Sequence, residues 1–242
     1  MGLLKAIFYT PLYNGLVGLI DLLPWLDIGF IIILFTLIIK AILFPLSYKA
    51  AKTQMLTKLH EDELNKIRAD KNTPLEEQAK KILDFYRKYD INPFVGIIVV
   101  LIQIPIIFAL YYMIARSGLP AIDTSLLYSF IGVPEAVKVS FLGIADVTGK
   151  SIILALLAAI TTYIQARMMQ PTVDLNFTGS FKDDLPKTMA LQMRYVFPVI
   201  VFFISYSISG VIALYWATSN IVAISQDWYI KRKLKHGQEG NN

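Results

Sequence analysis

Apolar residues along this chain gather into long uninterrupted runs, separated by one broad polar stretch and several short mixed segments. A helix needs roughly 17 to 25 residues to cross a bilayer core about 30 Å thick, and several of the runs are that long. The first span is expected at residues 28–46, the second at 93–115 behind an Asn92-Pro93 start signal, and the third at 151–169. The last apolar stretch, residues 194–230, holds 37 residues. As one helix it would be about 55 Å long, so a helical hairpin breaking near Ser209-Gly210 is expected, for five spans in all.

Ahead of the first span, Thr10 reads as an N-cap with Pro11 at the first helical position. Asn14, Gly18 and Asp21 then share a face opposite Leu12, Leu16, Leu19, Ile20 and Leu23. That is the pattern of an amphipathic helix lying in the membrane surface. The segment lacks the basic cluster and Ala-x-Ala site of a signal peptide. The polar stretch from Tyr48 to Asp90 reads as two antiparallel helices turning near Asp70 to Asn72, with Thr73-Pro74-Leu75-Glu76 as a capping box. Its apolar positions are sparse (Met55, Leu56, Leu59, Leu64, Ile67, Ile82, Leu83, Phe85), which predicts weak packing and a mobile hairpin. The expected organisation is an interfacial helix at 1–27, a first span at 28–47, the hairpin at 48–92, four further spans at 93–230, and a short basic tail at 231–242.

Composition agrees with a membrane protein. The 242 residues are 55% hydrophobic and 17% charged, against about 25% charged in soluble domains, and the mean hydropathy is +0.55. There is no cysteine, which excludes disulfides, thiolate metal sites and cysteine catalysis. The formal charge is +5, and its placement sets the orientation, because lysine and arginine concentrate in cytoplasmic loops beside the spans. With five spans, 18 of the 23 basic residues lie inside: ten from Lys49 to Lys88, then Arg167, Lys182, Lys187 and Arg194, then Lys231, Arg232, Lys233 and Lys235. Lys5, Arg116, Lys138 and Lys150 lie outside, so the N-terminus is expected outside and the C-terminus inside.

One basic residue, Lys40, falls within a span, and no span supplies an Asp or Glu to pair with it. A central lysine costs about 2.5 to 3.5 kcal/mol on insertion scales, and each Leu, Ile, Phe or Val returns about 0.3 to 0.6. The span holds 14 such residues, so insertion still wins. Snorkelling to the inner interface is one way to place the ammonium. Thr36, one turn earlier on the same face, points instead to a polar stripe running outward. Thr161, Thr162 and Gln165 share a face of the third span, Trp216, Ser219 and Asn220 share a face of the fifth, and Gln103 lies within the second. Such groups often serve only as interhelical glue. With the lysine among them, they predict a hydrated groove. The fully apolar part of the third span is only 13 residues, Ile152 to Ile164, short enough to thin the bilayer locally.

No catalytic constellation is present. The two histidines, His60 and His236, lie in inner segments without metal-ligand spacing. Gly149-Lys150-Ser151 lacks the earlier glycine of a phosphate loop, since Ile144 stands there, and Asn176-Phe177-Thr178 matches a glycosylation sequon on an inner loop, where it has no consequence.

The ordered segments Thr36 to Leu46 (TLIIKAILFPL), Asn92-Pro93, Leu101 to Tyr112 (LIQIPIIFALYY), Ile164-Gln165 with Pro171-Thr172, and Ser209 to Asn220 (SGVIALYWATSN) resemble the YidC/Oxa/Alb membrane protein insertases. The resemblance covers nearly the whole chain. It implies an all-α polytopic protein whose five spans enclose a hydrophilic groove open to the cytoplasm and to lipid. In that groove the family's positive residue would correspond to Lys40, and groove-lining positions to Thr36, Gln165, Tyr215 and Trp216. Gln103 and Asn220 join this candidate set from their own spans. The family usually has arginine where this chain has Lys40. The chain also departs from relatives with a large outer domain, a lipid-anchored cysteine or a long basic tail.

The expected function is an energy-independent insertase or chaperone for nascent helical membrane proteins, without cofactor or metal. Partners implied are the nascent chain, the ribosome, the Sec translocon and the phospholipid bilayer, with no specific nucleic acid. No organellar transit peptide is evident, which points to a bacterial plasma membrane. The rival readings are a small ion-coupled transporter or channel subunit, which would ordinarily use intramembrane acids, and an assembly scaffold without insertion activity.

Overall fold

The computed structural model describes residues 5–70, 73–115, 121–142, 145–169 and 187–239. Expectations for residues 71–72, Arg116, Ile144, Pro171-Thr172, the Asn176 sequon and Lys182 lie outside them. The regular structure of the described chain is helical apart from a two-residue antiparallel ladder, Ser140–Phe141 against Ala145–Asp146. The main helices are α1 (Thr10–Leu22), α2 (Ile28–Ile42), α3 (Phe44–Leu59), α4 (Glu61–Ala69), α5 (Leu75–Lys88), α6 (Phe94–Ala115), α7 (Ile152–Met169), α8 (Lys187–Ile208) and α9 (Gly210–Glu239).

Among the described residues, two helices are long and apolar enough to cross a membrane: α6, with mean hydropathy 2.7 over Phe94–Met113, and α8, with 1.5 over Lys187–Ile208. A third candidate is the broken pair α2 and α3, while α7 is apolar but shorter. The first apolar run is therefore not the single helix expected over 28–46. Pro45 lacks an amide hydrogen, and its ring would collide with the carbonyl of Ala41, so α2 stops at Ile42 and α3 restarts at Phe44. At 15 residues, α2 is about 22 Å long.

Contacts divide the chain into two compact units. The first comprises Met1–Ile42 and Gln103–Ile224. Within it, α7 packs closely on α8, with Ala155 and Ala158 of α7 and Val201 and Ser205 of α8 fully buried. Small residues let helix backbones approach where lipid offers no hydrophobic drive. The break between α8 and α9 falls at Ser209, as the length argument required, with extended backbone (φ −170, ψ 162). Gly210 N donates to Gly149 O and Val211 N to Val147 O, both at 2.7 Å. A Cβ on Gly210 would lie 3.0 Å from Val147 O, so this turn needs glycine for the close approach.

In the same unit α1 packs on α2, burying Leu16, Val17 and Ile20 along with Ile28, Ile31, Ile32 and Phe35. Residues 121–142 and 145–149 form a cap tied to this pair and to the Ser209 turn. Asn14, expected on the polar outer face of α1, is buried instead. Its amide donates to Leu126 O at 2.8 Å and its side-chain oxygen accepts from Tyr128 N at 2.7 Å. Tyr13 Oη accepts from Asp123 N at 2.7 Å. Thr10 is not a cap, because a π-helical turn at Lys5–Tyr9 already precedes it. Asp27 caps α2 through Phe30 N at 3.0 Å and accepts from Leu142 N at 3.2 Å.

The second unit comprises Leu43–Ile102 and Ser225–Asn242. Helices α4 and α5 form the expected antiparallel hairpin, with its own small core of Leu64, Phe85 and Ile91 flanked by Leu56, Ile67, Ile82, Tyr86 and Tyr89. Leu59 and Leu83, two of its sparse apolar positions, are exposed. The capping box is absent: Thr73 Oγ1 donates to Asp70 Oδ2 at 2.5 Å, and α5 starts after Pro74 without a side-chain cap. Gln78 supplies the closure instead, donating to the terminal α4 carbonyls of Ile67 and Arg68 at 3.0 Å each.

Candidate functional site

The candidate residues divide into a buried set and a partly accessible set. Thr36, Tyr215 and Asn220 are buried. Lys40, Gln103, Gln165 and Trp216 are half-buried.

Two of the buried residues, Tyr215 and Asn220, join helices. The Asn220 amide on α9 donates to Thr162 Oγ1 at 2.8 Å and to Thr161 Oγ1 at 3.2 Å on α7. Each threonine hydroxyl also donates back to α7 carbonyls, Thr162 to Ala158 O at 2.7 Å and Thr161 to Leu157 O at 2.8 Å. The Gln103 amide on α6 donates to the Tyr215 hydroxyl on α9, which also shares a hydrogen bond with Ser219. Polar groups of α6, α7 and α9 thus satisfy one another, which avoids the several kcal/mol that each would cost unsatisfied in lipid. Thr36 belongs to this buried set, since its hydroxyl donates to Ile32 O of its own helix at 2.7 Å. It does not extend an open polar stripe from Lys40.

Lys40 lies in the last turn of α2. The early end of α2 changes its setting from mid-span to helix C-terminus, where unsatisfied carbonyls and the helix dipole favour a cation. Trp216 packs edge-on against Phe197 with ring centroids 6.2 Å apart, leaving part of the indole accessible. Among the described residues no group of His, Cys, Asp and Glu has the arrangement of a metal site.

One buried acid escaped the sequence reading. Asp227, inside the arm drawn to Ile230, is 4% exposed, so the spans as drawn do contain a carboxylate. It pairs with Lys231 at 2.7 Å, one turn on in α9. The acid-then-base spacing at i and i+4 was visible as a stabilising pair, but the burial was not. Asn14 was missed likewise as an anchor of the cap.

Two apolar helices of spanning length among the described residues, with hydrogen bonds joining α6, α7 and α9, define a helical membrane protein. The chain belongs to the 60Kd inner membrane protein family, which it matches over residues 21–238. It is similar to the membrane protein insertase YidC of Fusobacterium nucleatum, with 28% identity over 207 residues, 86% of this chain and 87% of that protein. The Clostridium tetani protein of the same name is 29% identical over 219 residues, 90% of this chain and 87% of the relative. The same-named Pseudomonas fluorescens protein is 26% identical over 207 residues, but these make up only 32% of its length.

Proposed function

We propose that this protein is a membrane protein insertase that receives nascent helical membrane proteins in a hydrated groove between its spans and releases them into lipid without nucleotide hydrolysis. The carrying observation is the half-buried Lys40, Gln103, Gln165 and Trp216 on otherwise apolar helices, backed by the buried bonds of Tyr215 and Asn220. In this reading five spans surround the groove: α2 with the start of α3, then α6, α7, α8 and the first part of α9. Charge placement orients the N-terminus outside and the C-terminus inside. The short α7 matches a locally thinned bilayer.

Lys40 attracts acidic residues in the translocating tail of the substrate, the accessible amides hydrate that tail, and hydrophobic partition of the substrate span into lipid drives release. Thr36, Tyr215 and Asn220 hold the groove wall in shape. The hairpin and basic tail face the cytoplasm, where they meet the ribosome and the Sec translocon, in a bacterial plasma membrane. The relatives' shared name, membrane protein insertase, supports this reading over a transporter.

The test is reconstitution in sealed liposomes with one small acidic-tailed substrate, scored by protease protection. Wild type and Lys40→Arg should insert it, and Lys40→Met should fall roughly tenfold, the effect of losing about 1.4 kcal/mol of charge attraction. Ion flux through the protein alone, with no insertion, would support the transporter reading instead.

A further inference from the structure

Where the hairpin meets α6, the second unit contains a cavity of about 420 Å³ whose lining includes Leu83, Tyr86, Arg87, Asp90, Asn92 and Phe94. We infer that this cavity holds the headgroup of a zwitterionic aminophospholipid, phosphatidylethanolamine in chemical class.

Three observations carry this inference. The first is depth. Phe94 opens α6, whose stretch Phe94–Met113 has mean hydropathy 2.7, and is 64% exposed, so it stands where the chain passes from the polar hairpin into a run long enough to cross the hydrocarbon core. Asn92, Asp90 and Arg87 then lie on the headgroup side of that boundary. The second is charge. The Arg87 side chain is 82% exposed and only loosely paired, with Nη1 3.8 Å from Asp84 Oδ1. A guanidinium in that state suits a phosphate, which it can grip through two parallel hydrogen bonds.

The third is the acid in the same lining. The Asp90 side chain is 97% exposed, with Lys52 at 3.9 Å, and its backbone is left-handed, with φ 52. That conformation ends α5 and returns the chain through Ile91 N to Tyr86 O at 2.9 Å. A purely anionic headgroup would bring its charge against Asp90. A headgroup with a phosphate and a primary ammonium meets Arg87 with one and Asp90 with the other, while the Tyr86 and Phe94 rings cover its glycerol. The inference needs α6 to span the membrane but does not need the protein to be an insertase.

The full chain would be placed in nanodiscs of phosphatidylethanolamine, phosphatidylglycerol and phosphatidylcholine in equal parts. One lipid at a time would carry a photoreactive group near its glycerol, and adducts would be mapped by mass spectrometry. Residues 83–94 should be labelled about two- to fivefold more by phosphatidylethanolamine than by the other two, the scale an exposed ion pair supports. Labelling at Phe108, 57% exposed on α6, should show no preference. Arg87→Gln should bring the phosphatidylethanolamine signal down to the phosphatidylglycerol level, and Asp90→Asn should make the two equal by raising phosphatidylglycerol. Equal labelling by all three lipids in wild type, a preference for phosphatidylglycerol or phosphatidylcholine, or the Phe108 ratio repeated at residues 83–94 would each overturn the inference. No substrate protein is present, so a failure here is separate from a failure of insertion.

Discussion

Asn220 offers two amide hydrogens to Thr161 and Thr162, while both threonine hydroxyls also reach carbonyls of their own helix. Removing the amide therefore leaves the threonines satisfied and takes away only the tie between helices. Asn220→Ala should cost about 0.6 to 1.7 kcal/mol in reversible unfolding in mixed micelles, and a neutral result would show that the tie is not formed. Gly29 is a sharper case of local geometry, because a Cβ there would lie 2.1 Å from Phe141 Cδ2 and 2.6 Å from Cγ. Gly29→Ala should lose about 1 to 3 kcal/mol by overpacking, and Phe141→Ala in the same chain should recover most of it. Thermal melting of the single and double variants checks this; equal melting of wild type and Gly29→Ala would mean that the cap does not rest on α2. Asn14 shows why such ties escape a helical wheel, which sees only its own helix: its partners Leu126 and Tyr128 lie 112 and 114 residues away.

The hairpin carries the clearest electrostatic prediction at the level of elements. The Tyr89 hydroxyl donates to Glu63 Oε2 at 2.5 Å and Lys88 Nζ to Oε1 at 2.9 Å, while the His60 ring stacks on Tyr89 with centroids 3.6 Å apart. Those two donors hold the Glu63 carboxyl below its ordinary 4.5. A depressed folded-state value adds stability above the unfolded one and loses it as pH falls through the folded one. Hydrogen exchange of hairpin amides should therefore accelerate as pH drops below 4.5, after correction for intrinsic exchange rates. Glu63→Gln should flatten that dependence, and an unchanged profile in the variant would contradict it. This hairpin, the bounds of α7 and the break at Ser209 are legible in the sequence, because each follows from length and polarity. The break before Pro45 is not, since hydropathy does not register a lost amide hydrogen inside an apolar run. The hairpin is closed not at Thr73, where the capping pattern points, but by the longer Gln78 side chain, which reaches across to α4.

For the molecule as a whole, polarity within the apolar helices serves two ends. Hydrogen bonds from the Gln103 and Asn220 amides fasten α6, α7 and α9, and the half-buried Lys40, Gln165 and Trp216 are the groups proposed to meet a polar visitor. Composition made the polar stripes visible in the sequence, but not which members were buried, because burial depends on neighbours supplied by other helices. The central claim is that the accessible members receive a substrate. It is tested most directly by placing a photo-crosslinking amino acid at Gln165, at Trp216 and at the exposed apolar Phe108, then exposing each variant to ribosome-bound nascent chains with one emerging span. Adducts at Gln165 and Trp216 well above those at Phe108 are the expected result. Equal or weaker adducts at those two positions would contradict the claim.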